Sequence, residues 1–143
     1  MNVKNILAAK GGSVISIEPT ATLATAVKTL ADHKIGALLV LGPDRRMVGI
    51  LSERDIVRVL AERGASVLEQ PLAQVMTRKV VTCSQSETIG GIMERMTRGK
   101  FRHVPVLEQE QVVGVVSIGD VVKYRLQEIE SESAALRDYI QTA

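Results

Sequence analysis

The stretch Gly114-Val115-Val116-Ser117-Ile118-Gly119-Asp120-Val121-Val122 decides how the rest of the chain is read. An apolar run headed by glycine ends on a serine, and an aspartate follows three residues later with two aliphatics behind it. The same order occurs in Gly49-Ile50-Leu51-Ser52-Glu53-Arg54-Asp55-Ile56-Val57. Aliphatic residues before the serine predict a strand, and a serine three residues ahead of a carboxylate is the signature of a helix start. Each stretch therefore predicts a strand that passes directly into a helix.

The repetition extends outward. Val14-Ile15-Ser16-Ile17 lies over Val80-Val81-Thr82-Cys83 at an offset of 66, as does Val40-Leu41 over Val106-Leu107, and the offset falls to 65 at Gly49 and Gly114. The loop Gly42-Pro43-Asp44-Arg45-Arg46 is thus one residue longer than Glu108-Gln109-Glu110-Gln111, a change that a surface turn absorbs. Two copies are too few for a solenoid, which needs at least about three. A pair packed face to face is the expectation.

Within the first repeat a strand over residues 14–17 leads to a helix opened by Thr20 or Thr22. Its apolar positions Leu23, Ala26, Val27 and Leu30 fall on one face. Strands over 37–41 and 47–51 follow, then a helix from Ser52 that Gly64 stops near residue 63. The second repeat reads the same way, with strands over 80–83, 104–107 and 112–116, a helix over 88–98 and a helix from Ser117. Residues 2–9 are expected to form a short helix, and Pro71 to open a helical lead-in to the second repeat. Glu130-Ser131-Glu132-Ser133 is expected to break the last helix ahead of a separate one over 134–140. The fold class is α+β, or α/β by some schemes: two β-α-β-β-α repeats over 8–67 and 76–132. They are expected to pack sheet to sheet with pseudo-two-fold symmetry, plus short N- and C-terminal helices, the latter over 133–143.

With 45% hydrophobic and 24% charged residues the composition is globular, which argues against disorder. No apolar run approaches the ~18 residues that span a bilayer. The N-terminal apolar run is too short for a secretory signal, so a cytoplasmic location is expected, with no membrane partner. A net charge of +2, scattered basic residues, two Tyr and one Phe argue against nucleic acid. Cys83, the sole cysteine, reads as a small core hydrophobe. His33 reads as a helix C-terminal histidine, and Gly90-Gly91 as a place of close backbone approach, such as by a partner subunit. With two unrelated histidines, no G-x-S-x-G and no Walker loop, neither catalytic residues nor a metal site are expected, and the chain is read as no enzyme.

The repeat order, Met76-Thr77 at the opening of the second unit, His103-Val104-Pro105-Val106, and the Gly-x-x-Ser-x-x-Asp endings resemble the cystathionine β-synthase (CBS) domain. The resemblance covers residues from about 4 to about 128. Two such domains in tandem resemble the adenosine-ligand-sensing Bateman module, and a stand-alone pair is the expectation. It implies a regulatory module whose cleft between repeats takes an adenine nucleotide ligand such as AMP, ADP, ATP, NAD or S-adenosylmethionine, with no catalytic cofactor.

The resemblance also assigns roles. The first strands, at Ile15-Ser16 and Val81-Thr82, hold the adenine through backbone groups. With so few aromatics in this chain, aliphatics such as Ile15, Val81 and Ile118 are expected to sandwich it. Asp55 and Asp120 hold a ribose, because a carboxylate accepts from both hydroxyls. Ser52 and Ser117, with Lys34, Lys100, Arg54, Arg102 and His103, face the phosphates. Arg102-His103 stands where the first repeat has Gly36-Ala37, and Pro105 follows. By the same resemblance Asp55 would share a cleft with Arg102 and His103, and Asp120 would face Gly36-Ala37. Each Ser–Asp pair also has the spacing of a capping box, in which the side chains only satisfy backbone amides.

Ile56, Val57, Val59 and Leu60 cannot all face one sheet, since successive helix positions turn by about 100°. Something must cover the outward ones, and the resemblance implies that it is the equivalent helices of a second copy, in a homodimer centred on the helices from Ser52 and Ser117. The final helix packs across it or serves a client protein. The competing reading is a dimerisation scaffold with no nucleotide.

Overall fold

The computed structural model describes residues 1–142, which form two compact units. The first-repeat unit comprises Ser13–Val81 with Gln109–Val113. The second-repeat unit comprises Met1–Gly12, Thr82–Glu108 and the chain from Gly114 onward.

In the first-repeat unit, β1 (Ser16–Ile17) pairs in parallel with β2 (Ala37–Leu41), and β2 pairs antiparallel with β3 (Met47–Ser52). A parallel pair needs a crossover. It is supplied by α2 (Leu23–His33), capped by the Thr22 side chain and ending on His33. Helix α3 (Glu53–Arg63) leaves β3 without a loop and stops at Gly64, as the sequence predicts. Two 3₁₀ turns, Ala65–Glu69 and Leu72–Gln74, close the unit. Its core is apolar: Leu23, Leu38, Leu51, Val59 and Leu72 are buried together. Val59 is therefore covered from within the chain, and Ile56 is buried with it. The outward position on α3 is Val57, 67% exposed.

The second-repeat unit holds α1 (Val3–Lys10), α4 (Ile89–Gly99), β4 (His103–Glu108), the end of β5 (Gln111–Ser117) and α5 (Ile118–Thr142). β4 and β5 form a two-stranded sheet. The strand expected over 80–83 is reduced to one parallel bridge. Cys83 donates to the Pro105 carbonyl at 3.0 Å and accepts from the Leu107 amide at 2.9 Å. Pro105 explains the loss, because its nitrogen carries no hydrogen to extend the ladder back toward Val81. In the first repeat Leu39 occupies that position and does donate, to Ile15.

One further expectation is corrected. No break occurs at residues 130–133: α5 runs unbroken through them, so the separate helix over 134–140 does not exist. The segment holds no glycine or proline, and two glutamates favour helix more than two serines oppose it. Within the chain nothing lies within 4 Å of where a Cβ on Gly90 would sit, and a Cβ on Gly91 would meet the Thr88 hydroxyl at 3.0 Å.

The lead-in segments are exchanged. Residues preceding the first repeat complete the second-repeat unit: Val3 donates to Glu87, and Leu7 covers Gly114, where an added Cβ would lie 2.6 Å from a Leu7 methyl. Residues preceding the second repeat complete the first-repeat unit: Leu72 donates to Ala21, and Met76 covers Gly49. Gly49 and Gly114 are equivalent positions, so both glycines answer to the same close approach. Among the described residues no helix is long and apolar enough to cross a membrane.

Candidate functional site

Both serine–aspartate turns are capping boxes. The Ser52 hydroxyl accepts from the Asp55 amide at 3.3 Å while the Asp55 carboxylate accepts from the Ser52 amide at 3.0 Å. Ser117 and Asp120 repeat this at 3.1 and 2.9 Å. The middle strand pins each helix start: the Glu53 amide donates to the Gly36 carbonyl, and the Ile118 amide to the Arg102 carbonyl. The turns are thus one local structure built twice.

Their carboxylates differ. Asp55 is 5% exposed and both its oxygens are engaged: Oδ1 accepts from Arg58 at 3.0 Å and from the Thr77 hydroxyl at 3.3 Å, and Oδ2 accepts from the Ser52 amide and hydroxyl. Asp120 is partly exposed, and its Oδ2 takes Lys10 Nζ at 2.7 Å beside the Ser117 amide. Its Oδ1 accepts no hydrogen bond among the described residues. Lys10 also donates to the Val115 carbonyl at 2.9 Å, much as the Thr77 backbone binds Ile50 in the equivalent place. The exchanged lead-ins therefore deliver a neutral donor to one aspartate and a cation to the other. Neither Lys10 nor Arg58 was singled out from the sequence. The lead-ins align Leu7 with Met76 and hence Ala8 with Thr77, so no offset points to Lys10.

Burial works to raise the Asp120 carboxyl, but hydrogen bonds from Lys10 and Ser117 and the Lys10 charge outweigh it and hold the group below its ordinary value. A carboxyl depressed in the folded state stabilises above the unfolded value and loses that contribution as pH falls through the folded one. Stability should therefore decline on acidification below about pH 4, by less than about 1 kcal/mol from this exposed pair. Asp120→Asn should flatten the stability profile over that window in urea titrations at stepped pH. Cys83 has no such poise: burial, then Glu87, push its thiol up to about 11 against the opposing charge of Arg95. That keeps it a protonated core group.

The other positions are placed as follows. Ile15 packs partly buried on the first-repeat core, and Ser16 lies in β1. Lys34 and Lys100 end α2 and α4 in the left-handed conformation, with φ of 54° and 57°. Lys34 and Gly36 border a groove floored by Leu30, Ile35 and Ile56 and edged by Val57. Ala37 opens β2 opposite Ser52, and Arg54 lies exposed in the first turn of α3. In the second-repeat unit Val81's neighbour Thr82 gives its carbonyl to Arg95 at 2.8 Å. Arg102 is exposed ahead of β4, His103 opens that strand, Pro105 is buried within it, and Ile118 begins α5. Within one unit the structure thus brings together Arg102, Ser117, Ile118 and Asp120, and within the other Gly36, Ala37, Ser52 and Asp55.

The description "CBS domain" matches residues 4–62 and 72–127, which is most of the chain. A CBS-domain containing protein, ATU1752, from Agrobacterium tumefaciens is 44% identical with a TM-score of 0.85, over 87% of this chain and 92% of that one. The CBS domain pair of protein MJ0100, solved with 5′-methylthioadenosine and S-adenosyl-L-methionine, is 26% identical with a TM-score of 0.79, over 90% and 98%. The CBS domain protein PAE2072 from Pyrobaculum aerophilum, complexed with AMP, is 28% identical with a TM-score of 0.74, over 84% and 89%. The twin capped turns, the exchanged lead-ins and these matches lead to one conclusion: the chain belongs to the CBS domain family and carries two CBS domains in tandem.

Proposed function

We propose that the chain is a regulatory adenosine-ligand sensor acting as a homodimer, and that Asp120 is its ribose-binding carboxylate. The supporting observation is the open Oδ1 of Asp120 beside Lys10, in a turn already held by its own cap. A carboxylate in that state can accept two ribose hydroxyls without giving up the bonds that fix the helix start. Asp55, buried with both oxygens engaged, is better read as a capping residue. AMP, 5′-methylthioadenosine and S-adenosylmethionine, bound by the two related proteins, share only adenosine, and the 5′ substituent is where they differ.

Lys10 supplies the discrimination. Released from Asp120, its ammonium meets a 5′-phosphate but gains nothing from a neutral thioether, so anionic nucleotides are favoured. In calorimetry with AMP, ADP, ATP, NAD, 5′-methylthioadenosine and S-adenosylmethionine, AMP should bind more tightly than 5′-methylthioadenosine, and less tightly as salt rises. Asp120→Asn should weaken both by about 1.5 to 3 kcal/mol, the scale of hydrogen bonds to a charged group. Lys10→Ala should weaken AMP alone. No heat and no melting shift with any of the six at millimolar concentration would leave the scaffold reading in its place.

A further inference from the structure

α5 carries two apolar faces. Val121 is fully buried on one. On another, Val122, Leu126, Ile129, Leu136 and Ile140 are all exposed, Leu136 at 60% and Ile140 at 65%. Counting Ser133, these positions recur at steps of four, three, four, three and four. That is the 3.5-residue period of a coiled-coil seam, with Val122, Ile129 and Leu136 at d and Leu126, Ser133 and Ile140 at a. Beyond Ile129 no residue of the helix is buried. A free helical end of that length is marginal in water, so the segment is short of a partner for its apolar stripe.

The flanking charges say which partner. The g positions are Arg125, Glu132 and Tyr139, and the e positions are Lys123, Glu130 and Arg137. In a parallel two-stranded pairing each g residue meets the e residue five places on in the other chain. Arg125 then meets Glu130, and Glu132 meets Arg137, so both pairs attract. Reversing one chain at the register that overlaps the whole seam sets Lys123 against Arg137, Glu130 against Glu130 and Glu132 against Glu132. Every charged pairing there repels. A tail with Glu130, Glu132 and Asp138 against Arg137 is also the wrong sign for an anionic lipid surface.

We propose that the occupant of this seam is the same face of a second copy of the chain, in a parallel coiled coil over residues 122–140. This rests on the homodimer in the reading above and gives it a location and a polarity. Arg125 is drawn toward Glu128 of its own chain at 3.7 Å, loose enough to turn to the partner's glutamate. Ser133 then faces its own counterpart across the axis, a polar layer that costs stability and pins the register.

Sedimentation of the full chain should give about twice 15.5 kDa at micromolar concentration. Leu136→Glu, at an exposed position that leaves the fold intact, should raise the dimer dissociation constant by about 100-fold. Arg137→Glu should raise it by about tenfold, and Glu132→Arg added to Arg137→Glu should restore it. Ser133→Cys should form an interchain disulfide on mild oxidation, with the unsubstituted chain as control for Cys83. A monomer would overturn the seam and the homodimer together. A dimer indifferent to Leu136→Glu would overturn the seam alone, and a dimer that fails to cross-link through residue 133 would overturn the parallel polarity. Nucleotide binding by Asp120 is read separately and is untouched by either of the last two results.

Discussion

Gly49→Ala should be among the costliest single-atom additions to this chain, at about 3 kcal/mol, a fall in melting temperature of about 10 °C. The added methyl would sit 2.8 Å from the Met76 sulfur and 2.8 Å from the Thr77 carbonyl oxygen. The sulfur can swing aside, but the carbonyl is backbone and accepts from the Ile50 amide at 2.9 Å. Relief therefore requires breaking the two-way bridge between Ile50 and Thr77. Gly114→Ala meets only the Leu7 side chain and should cost about half as much. Gly90→Ala, at an open helical position, should instead stabilise by about 0.5 to 1 kcal/mol. Thermal melts of the three variants decide the matter; equal losses at Gly49 and Gly114 would remove the backbone clash as the cause.

Asp55→Ala should cost about 3 kcal/mol and Asp120→Ala less than about 1.5, although the two aspartates hold the same place in their repeats. Removing Asp55 loses a cap and strands the Ser52 amide and the Thr77 hydroxyl around a site that is 5% exposed. Removing Asp120 loses a cap and a half-exposed ion pair, and solvent reaches what remains. Urea unfolding of both variants tests this, and equal losses would show that the burial difference carries no energy. Ligand affinity should show the opposite order, falling with Asp120 and holding with Asp55.

Repeat order, strand-to-helix turns and caps were legible in the sequence because each is a local event. Ser52 and Ser117 choose their helix starts with residues three places away, and Gly64 stops α3 next to where it stands. What was not legible depends on residues far apart in the chain. Pro105 shortens the strand at residues 80–83 from the neighbouring segment, and a reading of the valines there cannot register a donor missing elsewhere. The sequence treats Asp55 and Asp120 as twins. They are separated by Thr77 and Lys10, which reach them across 22 and 110 residues. Position on α3 misled for a different reason: helical spacing says that some of Ile56, Val57, Val59 and Leu60 face outward, and only packing says that it is Val57.

The exchange of lead-in segments sets an order of events during synthesis. Helix α1 is made well before its partners Glu87, Thr88 and Gly114, so it waits unpaired while the intervening chain is translated. The first-repeat unit lacks only the short segment Gln109–Val113 once residue 81 has emerged. It is thus placed to fold while the rest is still being added. The second-repeat unit closes late, by capturing a helix made long before the rest of it, and this long-range closure is the step expected to limit the folding rate. Cutting the chain between its repeats would leave each half holding the other's lead-in, and neither half would carry all the pieces of its own unit.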